Sequence, residues 1–404
     1  MFLEKTDLNQ ATKNLFYAAQ AVIHHIESQG YKAYIVGGAV RNILLDKPVN
    51  DIDITTNCLP EEIINIFDRT IPVGIEHGTV LVLWEEYQFE ITTFRKDGDY
   101  HDYRRPDQVY FVSDLKSDLK RRDFTINALA IDESGEIIDY FEGQDDLLQK
   151  NIRAVGDAEQ RFQEDALRMI RAIRFQSVLN FDIEENTLNA IHKLSPMVEH
   201  VSIERIVIEF KKMIEGTGNS KALQIFYQEM YRYIPFFKCL KNDLKKYQIH
   251  HATTFEIYLG YIIFCETNEC IKRLPNLKIS NQEKNLIKTY ADIFRYFNFP
   301  GYSIRQFVYR YEINLIKDVL KFIHHEKLDL NNMIDIQLLK ENYHLLPIHS
   351  RSELAINGHD LMIHLGKKQG AWLKQTLEDI ENEVIEGRLT NNREKILEWT
   401  KQNV

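Results

Sequence analysis

The sequence predicts an α+β chain: a mixed-sheet domain first, then an all-helical remainder. Up to about residue 145, short β-branched and aromatic runs alternate with turn residues and brief helical patterns. Beyond that point strand signals fade, and amphipathic helical periodicity continues to the end. The third observation is size, since 404 residues exceed one ordinary core and suit roughly two to four modules.

The elements follow in order. Residues 11–29 read as a helix that Gly30 closes. Residues 33–36 read as a strand, Gly37-Gly38 as a sharp turn and residues 39–45 as a short helix. Asp51-Ile52-Asp53-Ile54-Thr55 alternates polar with apolar, as a half-buried strand does. Residues 60–68 read as a helix, and strands at 79–84 and 88–94 read as a hairpin about Glu85-Glu86-Tyr87. Residues 95–108 mix charges of both signs with Gly98 and Pro106, and are expected to form a mobile loop. A helix is expected to begin within residues 122–130, and residues 137–141 to form the last strand.

Composition narrows the class. Hydrophobic residues make up 44 %, and no apolar run reaches the length of a membrane span. The opening Met1-Phe2-Leu3-Glu4-Lys5-Thr6-Asp7 is charged and is not read as a signal peptide. Cys58, Cys239, Cys265 and Cys270 are scattered, so neither a zinc site nor a disulfide is expected, and a cytoplasmic location is. The net charge of −10 argues against a uniformly basic nucleic-acid binder, but leaves room for a local basic groove.

Asp51 and Asp53 stand at i and i+2 of a predicted strand. Their side chains should leave the same face, with Cα atoms about 6.5 Å apart, within reach of one metal ion. Glu90 lies on the polar face of another predicted strand, and joins the pair if the two strands are neighbours. Three carboxylates on one face repel one another without a cation, and such oxygen ligands suit Mg²⁺. Alone, a D-x-D pattern equally describes a solvated strand face. The turn before it changes the odds, because Gly37-Gly38 and Arg41 at a helix start can cradle a phosphate. Neither G-x-G-x-x-G nor a P-loop is present.

Four motifs then occur in order: Val36-Gly37-Gly38-Ala39-Val40-Arg41; Asp51-Ile52-Asp53-Ile54; Arg121-Arg122-Asp123-Phe124-Thr125-Ile126-Asn127-Ala128; and Glu164-Asp165-Ala166-Leu167-Arg168-Met169-Ile170-Arg171-Ala172-Ile173-Arg174. Together they resemble the bacterial class II tRNA nucleotidyltransferases, the CCA-adding enzymes, and the related bacterial poly(A) polymerases. Asn42 and Asp46 stand where that family commonly has Asp and often has Gly. The resemblance implies a catalytic head at 1–150, a neck at 151–215, a body at 216–335 and a tRNA-binding tail at 336–404. It implies addition of C, C and A to tRNA from CTP and ATP, with Asp51, Asp53 and Glu90 catalytic and Asp51 and Asp53 holding Mg²⁺. Gly38 and Arg41 would touch the triphosphate, and Arg122, Asp123 and Asn127 the ribose and phosphates. Asp165 and Arg168 would read the base, with Arg171 and Arg174 completing the nucleotide site.

The base-reading role has a chemical basis. An Asp accepts hydrogen bonds and an Arg donates them. Cytosine and adenine each present an amino donor beside a ring acceptor, whereas guanine and uracil reverse that order. Stepping by three on one helix, Asp165, Arg168, Arg171 and Arg174 are expected to form a curving ridge opposite Ala166, Ile170 and Ile173. A poly(A) polymerase or a partial, CC- or A-only enzyme is the nearest alternative; the complete charged loop at 95–108 favours CCA addition. In the helical part, Lys211, Lys212, Lys238, Lys241, Lys245, Lys246, Lys272 and Arg273 are candidate RNA contacts. So are Lys367 and Lys368, among the turn glycines Gly358, Gly366 and Gly370. His250-His251 and His324-His325 read as structural. The oligomeric state stays open, a homodimer included.

Overall fold

The computed structural model describes residues 8–98, 109–241, 243–266 and 268–403. The α+β reading holds. The chain forms two compact units, Met1–Lys238 and Cys239–Val404.

The first unit is built on α1 (Gln10–Ser28), whose start is capped by Asn9 accepting the Thr12 N–H at 2.9 Å. Its apolar stripe, Leu15, Ala19, Val22, Ile23 and Ile26, is buried. Seven strands follow in one sheet: β1 (Ala33–Val36), β2 (Asp53–Thr56), β3 (Thr70–Gly74), β4 (Thr79–Trp84), β5 (Tyr87–Thr93), and later β8 (Leu129–Ile131) and β9 (Ile137–Asp139). Between them β6 (Arg95–Asp97) and β7 (Val109–Phe111) form a separate antiparallel ribbon. The sheet order is β3-β4-β5-β2-β1-β8-β9, and only β2–β5 is parallel among its described pairings. Helix α2 (Gly38–Leu44) leaves β1 directly, and α3 (Pro60–Ile66) follows β2. Val36, Phe94, Leu115, Leu119, Ala128, Ala130 and Val155 form one buried cluster against the sheet.

Several expectations need correction. The strand carrying the aspartates begins at Asp53, so Asp51 precedes it instead of sharing it. The helix expected within 122–130 is a 3₁₀ turn, Thr125–Asn127, running straight into β8. Asn-Ala-Leu-Ala has helical propensity, but Leu129–Ile131 is wholly buried between β1 and β9, and that burial decides. Strand β3 was not foreseen. It contains Pro72 and is an edge, where proline removes no needed ladder bond. Helix α4 (Leu115–Lys120), capped by Asp114, was also missed. The hairpin turn takes two residues, Glu85-Glu86, with Glu85 at φ 53°. Of the expected loop, residues 95–98 belong to or adjoin β6, and residues 99–108 lie outside the described residues.

Helix α5 (Gly143–Gln149) closes the sheet region, and β10 (Asn151–Ile152) pairs in parallel with β11 (Asp182–Ile183), so strand pairing does not end at 145. Then come α6 (Ala158–Glu164), α7 (Leu167–Leu179), α8 (Glu185–Leu194) and α9 (Ile203–Ile214). The expected four-residue ridge is broken. Asp165 is extended, with φ −144°, between α6 and α7, leaving only Arg168, Arg171 and Arg174 on the helix.

Every regular element among the described residues of the second unit is a helix. Helix Phe255–Cys265 is apolar on nearly every side because it is the centre of that unit. It packs against Asn281–Asn298 at Gly260, where a Cβ would lie 2.7 Å from the Tyr290 Cβ. Cys239 and Cys270 form a disulfide, against expectation; their sequence separation of 31 gives no short-spacing signal, and the helical fold brings them together. Cys58 and Cys265 are unbonded. Glu326 accepts the backbone N–H groups of His250 and His251, each at 2.9 Å. No helix among the described residues is long and apolar enough to cross a membrane.

Candidate active site

The parallel pairing of β2 with β5 sets Asp53 directly opposite Glu90. Aligned residues of neighbouring strands face the same way, so both carboxylates stand on one side while Ile54 and Ile91 are buried on the other. The condition placed on Glu90 by its sequence position is therefore met. The Asp53 carboxyl is pushed above its ordinary value by its crowded surroundings and then by Glu90 and Asp51, with Arg122 pulling the other way. Among the described residues no three acids, histidines or cysteines converge into a ready metal cage. The donor set nevertheless fits a hard divalent cation: oxygen only, and mutually repulsive without one.

The glycine turn meets this corner. Gly37, at φ 74°, starts α2. A Cβ on Gly37 would lie 3.0 Å from Arg122 Nη1, and one on Gly38 3.5 Å from Arg41 Nη2. Gly37 thus makes room for the Arg122 guanidinium, while at Gly38 the Arg41 guanidinium lies at ordinary contact distance. Arg41 donates from Nη1 to Asn127 Oδ1 at 2.5 Å, and from Nε and Nη2 to Asn42 Oδ1 at 3.1 and 2.9 Å. Its pKa is drawn down to about 10, by burial first and then by Arg174 and Arg171. A neutral Asn42 gives Arg41 an acceptor without a counter-charge.

Asp123 lies deeper. Burial would raise its carboxyl, but Arg171, Asn127 and Arg168 hold it well below the usual carboxylate range. Arg171 Nε donates to Asp123 Oδ2 at 2.7 Å and Asn127 Nδ2 to Oδ1 at 3.0 Å. Arg171 also donates to Glu209 at 3.3 Å, and Arg174 donates to the other Glu209 oxygen at 2.8 Å. The Phe175 ring sits among three guanidinium groups: Arg174 at 3.5 Å, Arg41 at 5.1 Å and Arg171 at 5.5 Å.

Asp165 and Arg168 flank the start of α7, where the Arg168 backbone N–H donates to the Asp165 carbonyl at 3.0 Å, and their side chains engage other groups. Arg205 grips both Asp165 oxygens, at 3.2 and 2.7 Å, and the Leu167 N–H donates to one of them at 3.1 Å. Arg168, nearly buried, donates to Glu164 at 2.7 Å and to the carbonyls of Arg161 and Arg121 at 3.0 and 2.9 Å. The structure therefore gathers Gly38, Arg41, Arg122, Asp123, Asn127, Arg171 and Arg174 about one region beside Asp53 and Glu90. Asp118, Arg205 and Glu209 were not foreseen. Arg205 and Glu209 are spaced i,i+4 on α9, which placed them on one helix face but said nothing of their partners.

Residues 33–153 match the family model described as the poly A polymerase head domain, and residues 253–400 match tRNA nucleotidyltransferase domain 2. A CCA-adding enzyme of Staphylococcus haemolyticus is 43 % identical over 402 residues, covering 96 % of this chain and 98 % of that protein. The chain belongs to the CCA-adding enzyme family. A second CCA-adding enzyme, from Enterococcus faecalis, is 44 % identical over 403 residues and covers 96 % of both chains. Among solved structures, the Bacillus stearothermophilus CCA-adding enzyme in complex with CTP matches with a TM-score of 0.81 and 32 % identity, over 96 % of this chain and 97 % of that one. Membership of the CCA-adding family bears out the resemblance read from the four motifs.

Proposed function

We propose that this chain adds C, C and A to the 3′ end of tRNA, without a template, using CTP and ATP and releasing pyrophosphate. Full-length kinship with CCA-adding enzymes carries this reading, and the acids of β2 and β5 beside an arginine-rich region supply suitable chemistry. In the reaction the RNA 3′-oxygen bonds to the α-phosphorus, and the bond from that phosphorus to the bridging oxygen breaks. Asp51 and Asp53 would hold Mg²⁺, with Glu90 beside them. Bound Mg²⁺ would lower the pKa of the 3′-hydroxyl and neutralise charge on the triphosphate.

The remaining work belongs to the protein. Gly38, Arg41 and Arg122 receive the triphosphate, and Asp123 with Asn127 fixes the ribose side. Arg171 and Arg174, braced by Glu209 and stacked about Phe175, complete the pocket. Asp165 accepts from the amino group of C or A, and Arg168 donates to the adjoining ring acceptor. Guanine or uracil would leave both unmatched, at about 1–3 kcal/mol each. Contact with the base requires Arg168 to redirect donors that now serve Glu164 and two carbonyls. The helical remainder holds the tRNA, and the enzyme works in the cytoplasm. Of its candidate lysines, Lys238, Lys246 and Lys272 are engaged by Glu199, Glu266 and Glu269, so RNA would compete with those acids.

The test incubates the purified chain and Mg²⁺ with tRNA lacking its CCA end and each labelled nucleotide. Addition of C, C and A followed by a stop is expected. An open-ended A tail would reassign the chain as a poly(A) polymerase.

A further inference from the structure

Asp118 has no exposed side-chain surface, yet five donors converge on its carboxylate. Arg121 gives Nε and Nη2 to Oδ1 at 3.0 and 2.9 Å, and the Arg95 backbone N–H reaches the same oxygen at 3.3 Å. Arg122 Nη2 meets Oδ2 at 3.3 Å, and the Thr55 hydroxyl, which shares its one proton with the Thr92 carbonyl at 3.1 Å, reaches Oδ2 at 3.4 Å. These donors come from three places. Thr55 stands two residues beyond Asp53 on β2, and so on the same strand face. Arg95 starts β6. Arg121 and Arg122 form the turn that ends α4.

That turn faces the proposed nucleotide site twice. Its Arg121 carbonyl receives Arg168 Nη2 at 2.9 Å. Its Arg122 guanidinium comes up against Gly37, while Arg122 Nε is buried with no hydrogen-bond partner among the described residues. A buried donor without an acceptor is costly, and here it lies beside the acidic corner. Asp118 is the one hydrogen-bond acceptor of the Arg122 side chain among the described residues.

We propose that Asp118 is a positioning residue that aims Arg122 at the nucleotide, tying the Arg121–Arg122 turn to the strand that carries Asp53. This rests on the reading of Arg122 as a nucleotide ligand. Asp118 touches no substrate and acts through Arg122, and secondarily through the carbonyl that holds Arg168. The rival role is a buried ion pair that serves folding alone.

A double-mutant cycle separates the two. Asp118→Asn keeps the shape and an acceptor but loses the charge, while Arg122→Lys keeps the charge but loses the fork. Equilibrium binding of CTP and of ATP is measured for each single variant and for the double, with thermal melts alongside. Each single variant should weaken both nucleotides about tenfold, and the double should be little worse than either, since coupled groups do not add. Weakened melts with unchanged nucleotide affinity, or losses that simply add, overturn the proposal. If Arg122→Lys leaves affinity unchanged, the nucleotide role of Arg122 fails and the proposal falls with it. If Arg122→Lys weakens binding and Asp118→Asn does not, Asp118 alone is misassigned. Should Asp118→Asn not fold, Thr55→Val cuts the strand side of the same tie without removing a buried charge. A loss of affinity of about two- to threefold that vanishes in the Arg122→Lys background is then expected, and no loss overturns the proposal.

Discussion

The acids of β2 and β5 and the arginines of α7 sit in the same unit and are treated in opposite ways. Asp53 and Glu90 are exposed, mutually repulsive and crowded enough to raise the Asp53 carboxyl. Arg168, Arg171 and Arg174 are each matched by an acid from elsewhere in the unit: Glu164, Asp123 and Glu209. The acidic corner is left unbalanced, and on the proposed reading an incoming cation would complete it. The arginine side is balanced in advance, so that on the proposed reading Arg171 and Arg174 would keep their orientation when a nucleotide arrives, while Arg168 would redirect its donors. The proposed site would then be organised on one side by its ligand and on the other by the protein.

The contrast can be broken at four points. Asp53→Ala should cost the most, cutting turnover about 10³-fold with no loss of fold, because an exposed, strained charge is removed. Near-normal turnover in a steady-state assay would mean that the acidic corner is not the reaction centre. Glu209→Gln should do the reverse, lowering stability by about 3 kcal/mol, because Arg174 is left buried without its acid. Urea unfolding reads this, and an unchanged midpoint would show that the arginines need no template.

Asp165→Ala should relax the preference for C and A over U and G by about 10- to 100-fold, measured as misincorporation on tRNA ending before its CCA. Unaltered selectivity would remove Asp165 from base reading. The smallest effect is on pH. A raised carboxyl binds its proton more tightly folded than unfolded, so without a cation Asp53 contributes stability as pH falls through its titration and loses it as pH rises. Cation affinity has the opposite slope. It should weaken on acidification from a higher pH than an ordinary aspartate would give, and Asp53→Asn should flatten that dependence in a calorimetric titration. The same slope in both proteins would remove Asp53 from the cation site.

How legible each side was in the sequence follows from the same contrast. The acids obey a local rule: period-two alternation put Asp53 and Glu90 on polar faces, and only strand adjacency was missing. Arg168 pairs locally with Glu164, but Arg171 and Arg174 obey a long-range rule. Their helix could be placed, but Arg205 pairs with Asp165 across 40 residues and Glu209 with Arg174 across 35, beyond any periodicity. Asp165 itself left the helix because its side chain and carbonyl accept the N–H groups that open α7. Burial overrode propensity at Leu129–Ile131, where a helical-looking run became a central strand. The Cys239–Cys270 pairing was invisible for the same reason as the arginine partners.

The pairing of β2 with β5 also fixes when the acidic corner can exist. Parallel strands cannot be joined by a tight turn, and here α3, β3 and β4 intervene, so that Thr55 meets Thr92 across 37 residues. Closing so long a loop spends chain entropy before the contact repays it. The two carboxylates therefore become neighbours only when most of the sheet is already assembled. On the proposed reading, a divalent cation held by this pair would not seed the folding of the unit; it would arrive as the last component of a finished scaffold. During synthesis no emerging chain shorter than about ninety residues can form the pair, because Glu90 has not yet been made.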